Sequence, residues 1–229
     1  MVNSSLISSE SQFMKLISMI KFRKRILFLG LALAIPFLLA PAAWAHHPQG
    51  GETPDNLIQG FLSGLGHPVV DLDHLAFVIA TGLVAIGLQW GIIVPIAFLV
   101  TALFGTSVHL MAIDMPSLEL AIASSVMLFG VMLVMRYRNA FPAFENTAIV
   151  AALSAIAGIF HGYAYGEAII GAEMTPLAAY LAGFTVIQAS IALASYGLGK
   201  QLFQSWRVSR LFSGLMVSAI GVVFFSQAL

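Results

Sequence analysis

The densest run of chemistry-bearing side chains in the sequence is Gly66-His67-Pro68-Val69-Val70-Asp71-Leu72-Asp73-His74. Two imidazoles and two carboxylates so close together, running straight into an apolar stretch, are costly unless they are paired or hold an ion. At the helical turn angle His67, Asp71 and His74 fall within about 60° on one face, so two ring nitrogens and a carboxylate oxygen can meet at one cation. Asp73 points away from that face, which suits it to a neighbouring helix, to orienting a ligand histidine, or to carrying a proton. Residue 67 precedes proline and is drawn towards an extended backbone. The competing reading is a set of solvated residues capping a helix N-terminus.

Further candidates lie along the chain. His109 is followed by Met111, Asp114 and Met115. It reads either as an interfacial histidine or as a ligand, and the methionines read as packing rather than a copper site. In Phe160-His161-Gly162-Tyr163-Ala164-Tyr165-Gly166-Glu167, His161 and Tyr165 share a helical face, while Gly162 and Gly166 form a small-residue strip for close helix approach. Packing and an interfacial aromatic belt account for the tyrosines but not for His161 or Glu167. Glu173 and the mid-helix amide Gln188 complete the set of path residues, and His46 and His47 form a pair able to receive a metal at entry.

The elements that must position these groups follow from composition. The chain has 229 residues, 59% hydrophobic and 9% charged, with no cysteine and a mean hydropathy of +0.95. A soluble domain carries about 25% charged residues, so the expectation is an all-α polytopic membrane bundle. Balanced charge offers no basic surface for nucleic acid, and the lack of cysteine excludes disulfides and thiolate metal sites.

Lys21-Phe22-Arg23-Lys24-Arg25, the apolar run Ile26 to Ala40 and the motif Ala43-x-Ala45 read as a signal peptide, 1–45, cleaved after Ala45. An uncleaved first helix is the alternative, disfavoured by Pro36 and Pro41. A polar external segment, 46–66, and a six-helix domain, 67–229, follow. The expected spans are Pro68–Leu88, Gly91–Ala112, Pro116–Met135, Thr147–Tyr165, Pro176–Leu198 and Val208–Gln227, each near the roughly 20 apolar residues a crossing needs. Three helices per half suggest an inverted repeat of Pro68–Met135 and Thr147–Gln227.

Arg136 and Arg138 follow the third span, and Lys200, Arg207 and Arg210 separate the fifth from the sixth, which puts both loops in the cytoplasm. Signal cleavage puts the new N-terminus outside, and six spans return the C-terminus there, giving a bacterial inner-membrane protein. Past residue 45 five cations face nine acids. Eight of the acids (Glu52, Asp55, Asp71, Asp73, Asp114, Glu119, Glu167 and Glu173) and all six histidines fall on the external side or in the outer leaflet. Glu145 alone sits near the cytoplasm. Topology requires cations to be absent outside but does not require acids and histidines to gather there, so the outer face reads as a cation-collecting mouth.

These residues resemble the HupE/UreJ family of bacterial membrane proteins, associated with hydrogenase and urease systems and regarded as nickel or cobalt permeases. His67, Pro68, Asp73 and His74 match its first-helix motif His-Pro-x-x-Gly-x-Asp-His, and His161, Gly162, Ala164 and Gly166 match its fourth-helix motif His-Gly-x-Ala-His-Gly. Asp71 stands where the motif has glycine, producing an Asp-x-Asp-His core like that of the separate nickel/cobalt transporter family. Tyr165 stands where a second histidine is expected, and a fifth-helix histidine is replaced in the neighbourhood of Gln188 and Ala192. The resemblance implies a permease rather than an enzyme.

The sequence reading is thus a secondary permease or facilitator for Ni²⁺ or Co²⁺, with Zn²⁺ also suited to the donors, using His67, Asp71, Asp73, His74, His109 and His161. The metal is cargo and no prosthetic group is expected. The partners are the transition-metal cation and the lipid bilayer, and a homo-oligomer and a downstream metalloenzyme maturation system are compatible with it. Two alternatives stay open: an intramembrane zinc-dependent hydrolase and a non-transporting structural membrane subunit.

Overall fold

The computed structural model describes residues 53–205 and 207–229; the expected signal peptide and the His46–His47 pair lie outside them. The described residues are all helical apart from connections. The helices are α1 (Leu57–Val70), α2 (Leu72–Ala85), α3 (Ile93–Leu110), α4 (Leu118–Arg138), α5 (Thr147–Glu167), α6 (Met174–Ser205) and α7 (Arg207–Gln227), with a 3₁₀ turn at Pro142–Glu145. Five are individually long and apolar enough to cross a bilayer, and α1 and α2, bent by 81° at their junction, pass the same test together, giving six crossings if the pair is one span. Apolar side chains such as Ile96, Val100 and Phe104 on α3 and Val186 and Leu193 on α6 remain exposed, as a lipid-facing surface requires.

The first span differs most from expectation. It is not one helix over Pro68–Leu88, because Asp71 takes an extended conformation (φ −82°, ψ 110°) that ends α1 and starts α2. Much of segment 46–66, set apart in the sequence as a polar stretch, is helix from Leu57 onwards. Asn56 starts it by accepting from the Gln59 amide, while the Gln59 side chain accepts from Asp55 N at 3.1 Å. His67 is helical despite preceding proline. Pro68 is accommodated near the end of α1, where the ladder is about to stop anyway. A 14-residue helix such as α2 rises about 21 Å, short of a roughly 30 Å hydrocarbon core, so α2 alone is too short to cross a bilayer.

Glycine sets the closest packing. A Cβ on Gly105, Gly158 or Gly162 would meet the facing backbone or a side chain across α3 and α5, one on Gly60, Gly64 or Gly183 would do so across α1 and α6, and one on Gly130, Gly214 or Gly221 across α4 and α7. These three pairs are the most extensive contacts in the bundle. Taking α1 and α2 as one span, exchanging spans one with four, two with five and three with six carries the α1–α6 pair onto α3–α5 and leaves α4–α7 unchanged. That pairing is compatible with a three-plus-three repeat, although the contact between α2 and α4 has no counterpart of similar extent between α5 and α7. Thr106 Oγ1 to Gly162 O (2.7 Å) and Ser154 Oγ to Val94 O (3.0 Å) stitch α3 to α5 with hydrogen bonds worth having where no water competes.

Charge is separated between the two ends. Arg136, Arg138 and Lys200 sit at the end holding the α2–α3 and α4–α5 connections, whereas Asp114, Glu119, Glu167 and Glu173 are exposed at the opposite end. Arg136 is buried and donates to the carbonyls of Val84 and Ile86 at the C-terminus of α2, and pairs with Glu145 through Nε (3.1 Å) and Nη2 (3.0 Å). Its guanidinium thus caps orphan carbonyls and ties α2 to α4.

Gly162→Ala places a methyl against the Ala102 backbone, whereas Gly197 has open space. Thermal unfolding in detergent should show Gly162→Ala destabilised by about 1–3 kcal/mol and Gly197→Ala unchanged or stabilised by up to about 1 kcal/mol.

Candidate metal centre

The break at Asp71 builds the site. His67 lies one turn before it on α1 and His74 in the first turn of α2, so the three side chains converge because the chain bends between them, not because they line one straight face. One ligand atom from each lies within 4.8 Å of the others, and all three residues are buried. His67 Nε2 is 3.3 Å from Asp71 Oδ2. The Asp71 side chain makes no cap, so neither oxygen is consumed by the helix start.

Hydrogen bonds decide which ring nitrogens are available. His74 Nδ1 lies 2.8 Å from Asp73 Oδ1, which also accepts from the His74 amide at 2.7 Å. A carboxylate accepts, so the ring proton sits on Nδ1 and His74 Nε2 carries a lone pair. His74 Nε2 and both Asp71 oxygens are buried and have no hydrogen-bond partner among the described residues. A cluster of buried acceptors lacking donors is expensive unless a cation completes it. Two imidazoles and one carboxylate suit Ni²⁺, Co²⁺ or Zn²⁺ better than Mg²⁺ or Ca²⁺, which favour all-oxygen shells.

His161 stands beside this group. Its ring is 4.8 Å from that of His74 and 4.4 Å from that of Phe77, and it is fully buried. Its Nε2 is 2.9 Å from Ser125 Oγ, whose single proton goes to Ile122 O at 2.7 Å. The serine oxygen therefore accepts from Nε2–H, leaving the His161 Nδ1 lone pair, which also has no hydrogen-bond partner among the described residues. Tyr165 closes the site from α5, its ring 5.1 Å from His67 and 4.7 Å from His74, with its hydroxyl buried and without a hydrogen bond among the described residues.

The remaining candidates separate. His109 packs on Tyr163, ring centroids 4.3 Å apart, away from the three-residue group. Asp73 bonds the His74 ring and is not among the three residues whose ligand atoms lie within 4.8 Å of one another. Glu167 and Glu173 are exposed at the acidic end, and Gln188 is fully buried on α6 with neither amide atom hydrogen-bonded among the described residues. Tyr180 and Ser125 were not singled out in the sequence. A signal for Tyr180 exists: with Phe184 and Gln188 it forms an i, i+4, i+8 stripe in an apolar helix, and all three are fully buried. Ser125 carries none, since a serine that returns its proton to its own helix is ordinary.

The sequence pattern described as "HupE / UreJ protein" matches residues 32–224. Protein HupE of Rhizobium leguminosarum bv. viciae is 32% identical over 142 residues, covering 61% of this chain and 69% of that protein. No solved structure matches the chain. With its histidines and aspartates gathered at the break in the first span and a family pattern running from before that span to near the end of the last, the chain belongs to the HupE/UreJ family.

Proposed function

We propose that this protein is a secondary permease or facilitator importing a divalent transition-metal cation, Ni²⁺ or Co²⁺ first among them, and that it is not an enzyme. The observation that carries the reading is the buried set of His67, Asp71 and His74, rich in acceptors and short of donors, at a helix break inside an apolar bundle. Discontinuous helices are where transporters place ion sites, because a break supplies ligands that a continuous helix consumes in its own hydrogen bonds.

In this reading the acidic end faces the periplasm of a bacterial inner membrane and the arginine-rich end the cytoplasm. Exposed Asp114, Glu119, Glu167 and Glu173 raise the local cation concentration, and His46 and His47 give a first hold. The ion exchanges hydration for His67, Asp71 and His74, with water completing its shell, and His161 receives it next, its Nδ1 aimed at no other partner. Tyr165 and Gln188 line the route, and His109 serves the entrance. An inside-negative potential supplies about 2.3 kcal/mol per charge per 100 mV, so a dication gains roughly twice that on entry. The sequence contains no Walker-type phosphate loop, so the chain need not bind ATP to drive this step.

Uptake of radiolabelled Ni²⁺ and Co²⁺ into proteoliposomes tests the reading directly. His74→Ala, which deletes a ligand, should reduce uptake at least tenfold, and Asp73→Asn, which removes the negative charge from the His74 partner, should weaken apparent affinity about 10–100-fold. No uptake by the wild type, or uptake untouched by both substitutions, sinks the permease.

Orientation has its own test, helped by the absence of native cysteine. In spheroplasts, Asp114→Cys should react with an impermeant maleimide from outside, and Asn139→Cys only after the membrane is opened. The reverse pattern overturns the assigned direction.

A further inference from the structure

We infer that Tyr180 is a positioning residue for the metal centre, holding the His67 ring so that Nε2 is presented to the ion; this rests on the proposed metal site. Tyr180 is fully buried on α6, and its hydroxyl makes two contacts, 2.8 Å to the backbone carbonyl of Tyr165 on α5 and 3.1 Å to His67 Nδ1 on α1. A phenol has one proton. A carbonyl can only accept, so the proton goes to Tyr165 O, and the phenol oxygen is left as an acceptor for His67 Nδ1–H.

That bond determines which nitrogen is the ligand. With the ring proton on Nδ1, the Nε2 lone pair is on the side of Asp71 Oδ2, 3.3 Å away, where the metal-ligating atoms gather. Asp73 does the same for His74 with a carboxylate. The two ligand histidines therefore have matched outer partners of different chemistry, one anionic and local in sequence, one neutral and 113 residues away. Fixing a ring in this way preserves its direction and raises the basicity of the ligating nitrogen.

The same hydroxyl joins three helices at one oxygen. Gly64 lets α1 approach α6 so closely that a Cβ there would strike the Tyr180 backbone, and this contact sets the reach from Tyr180 to His67. The rings of His67 and Tyr180 stand edge to face with centroids 6.3 Å apart, so the phenyl body also fills space beside the ligand. Tyr180→Phe keeps that body and removes only the hydroxyl.

The experiment uses the full chain purified in detergent, with Co²⁺ binding followed by its visible absorption and by calorimetry. Tyr180→Phe should weaken Co²⁺ binding about 10–100-fold. In a His67→Ala background, where there is no ring to position, the same substitution should change the residual affinity less than twofold. Separately, ¹⁵N-histidine spectra of the Zn²⁺-loaded wild type should show His67 ligated through Nε2 with a slowly exchanging Nδ1–H, a signature that simple packing by Tyr180 would not produce. Unchanged Co²⁺ affinity in Tyr180→Phe, an equal loss in both backgrounds, or ligation of His67 through Nδ1 overturns the inference while leaving the metal site standing. A wild type that binds neither Co²⁺ nor Zn²⁺ overturns the site and this inference together.

Discussion

A carboxylate with no hydrogen-bond donor, enclosed among apolar helices, is the constraint on which this structure turns. Asp71 could have capped α2 or reached solvent; it does neither, and both oxygens remain buried without a hydrogen bond among the described residues, Oδ2 lying 3.3 Å from His67 Nε2. Desolvating an isolated carboxylate costs far more than a hydrogen bond returns, so such a group persists only where it is compensated by a proton or a cation. Around it the structure arranges further acceptors instead of donors. Each of the three central histidines has one nitrogen engaged by a group that accepts: Tyr180 for His67, Asp73 for His74 and Ser125 for His161. The pattern is that of a cage lined with lone pairs.

Holding such a cage together falls to packing and to backbone, since lipid supplies no hydrophobic force between helices. The glycines of α1, α3, α5 and α6 bring backbones close enough for Thr106, Ser154 and Tyr180 to bond across helix boundaries. At the other end Arg136 plays the complementary part. It satisfies the last carbonyls of α2 while Glu145 balances its charge, so α2 is anchored at its C-terminal end and leaves its first turn to the site. The site and the anchor thus occupy opposite ends of the same 14-residue helix.

Much of this was legible in the sequence because periodicity and composition are local. Apolar runs of about 20 residues, the cationic connections and the grouping of His67, Asp71 and His74 all follow from near neighbours. The break was not legible. Helical periodicity places the three residues on one face with or without a bend, and the local signals, Pro68 and the acidic residues suited to a helix start, read as the beginning of one helix at Pro68 rather than as a break at Asp71. For the same reason Leu57 to Gly66 read as a polar approach, although the spacing of Gly60 and Gly64 is that of the packing strip found at Gly158, Gly162 and Gly166. Tyr180 and Ser125 were hidden for a different reason. Their roles depend on where a single hydroxyl proton goes, and that is fixed by a carbonyl on another helix or in the preceding turn.

The departures from the family motif gain meaning in this geometry. A dication entering a medium of low dielectric is offset by negative charge close to it far better than by neutral nitrogen alone. With glycine at position 71, as the motif has, the only carboxylate of this cluster would be Asp73, one step removed behind His74. In the proposed site Asp71 would add a second carboxylate, this one among the three residues whose ligand atoms lie within 4.8 Å of one another, so that two carboxylates would offset the two positive charges of the ion. Tyr165 in place of a histidine then removes a nitrogen ligand without adding charge, and its ring fills the wall between His67 and His74. In the proposed permease, a more oxygen-rich site would hold its ion through electrostatics more than through ligand softness, a balance to which positions 71 and 165 would both contribute.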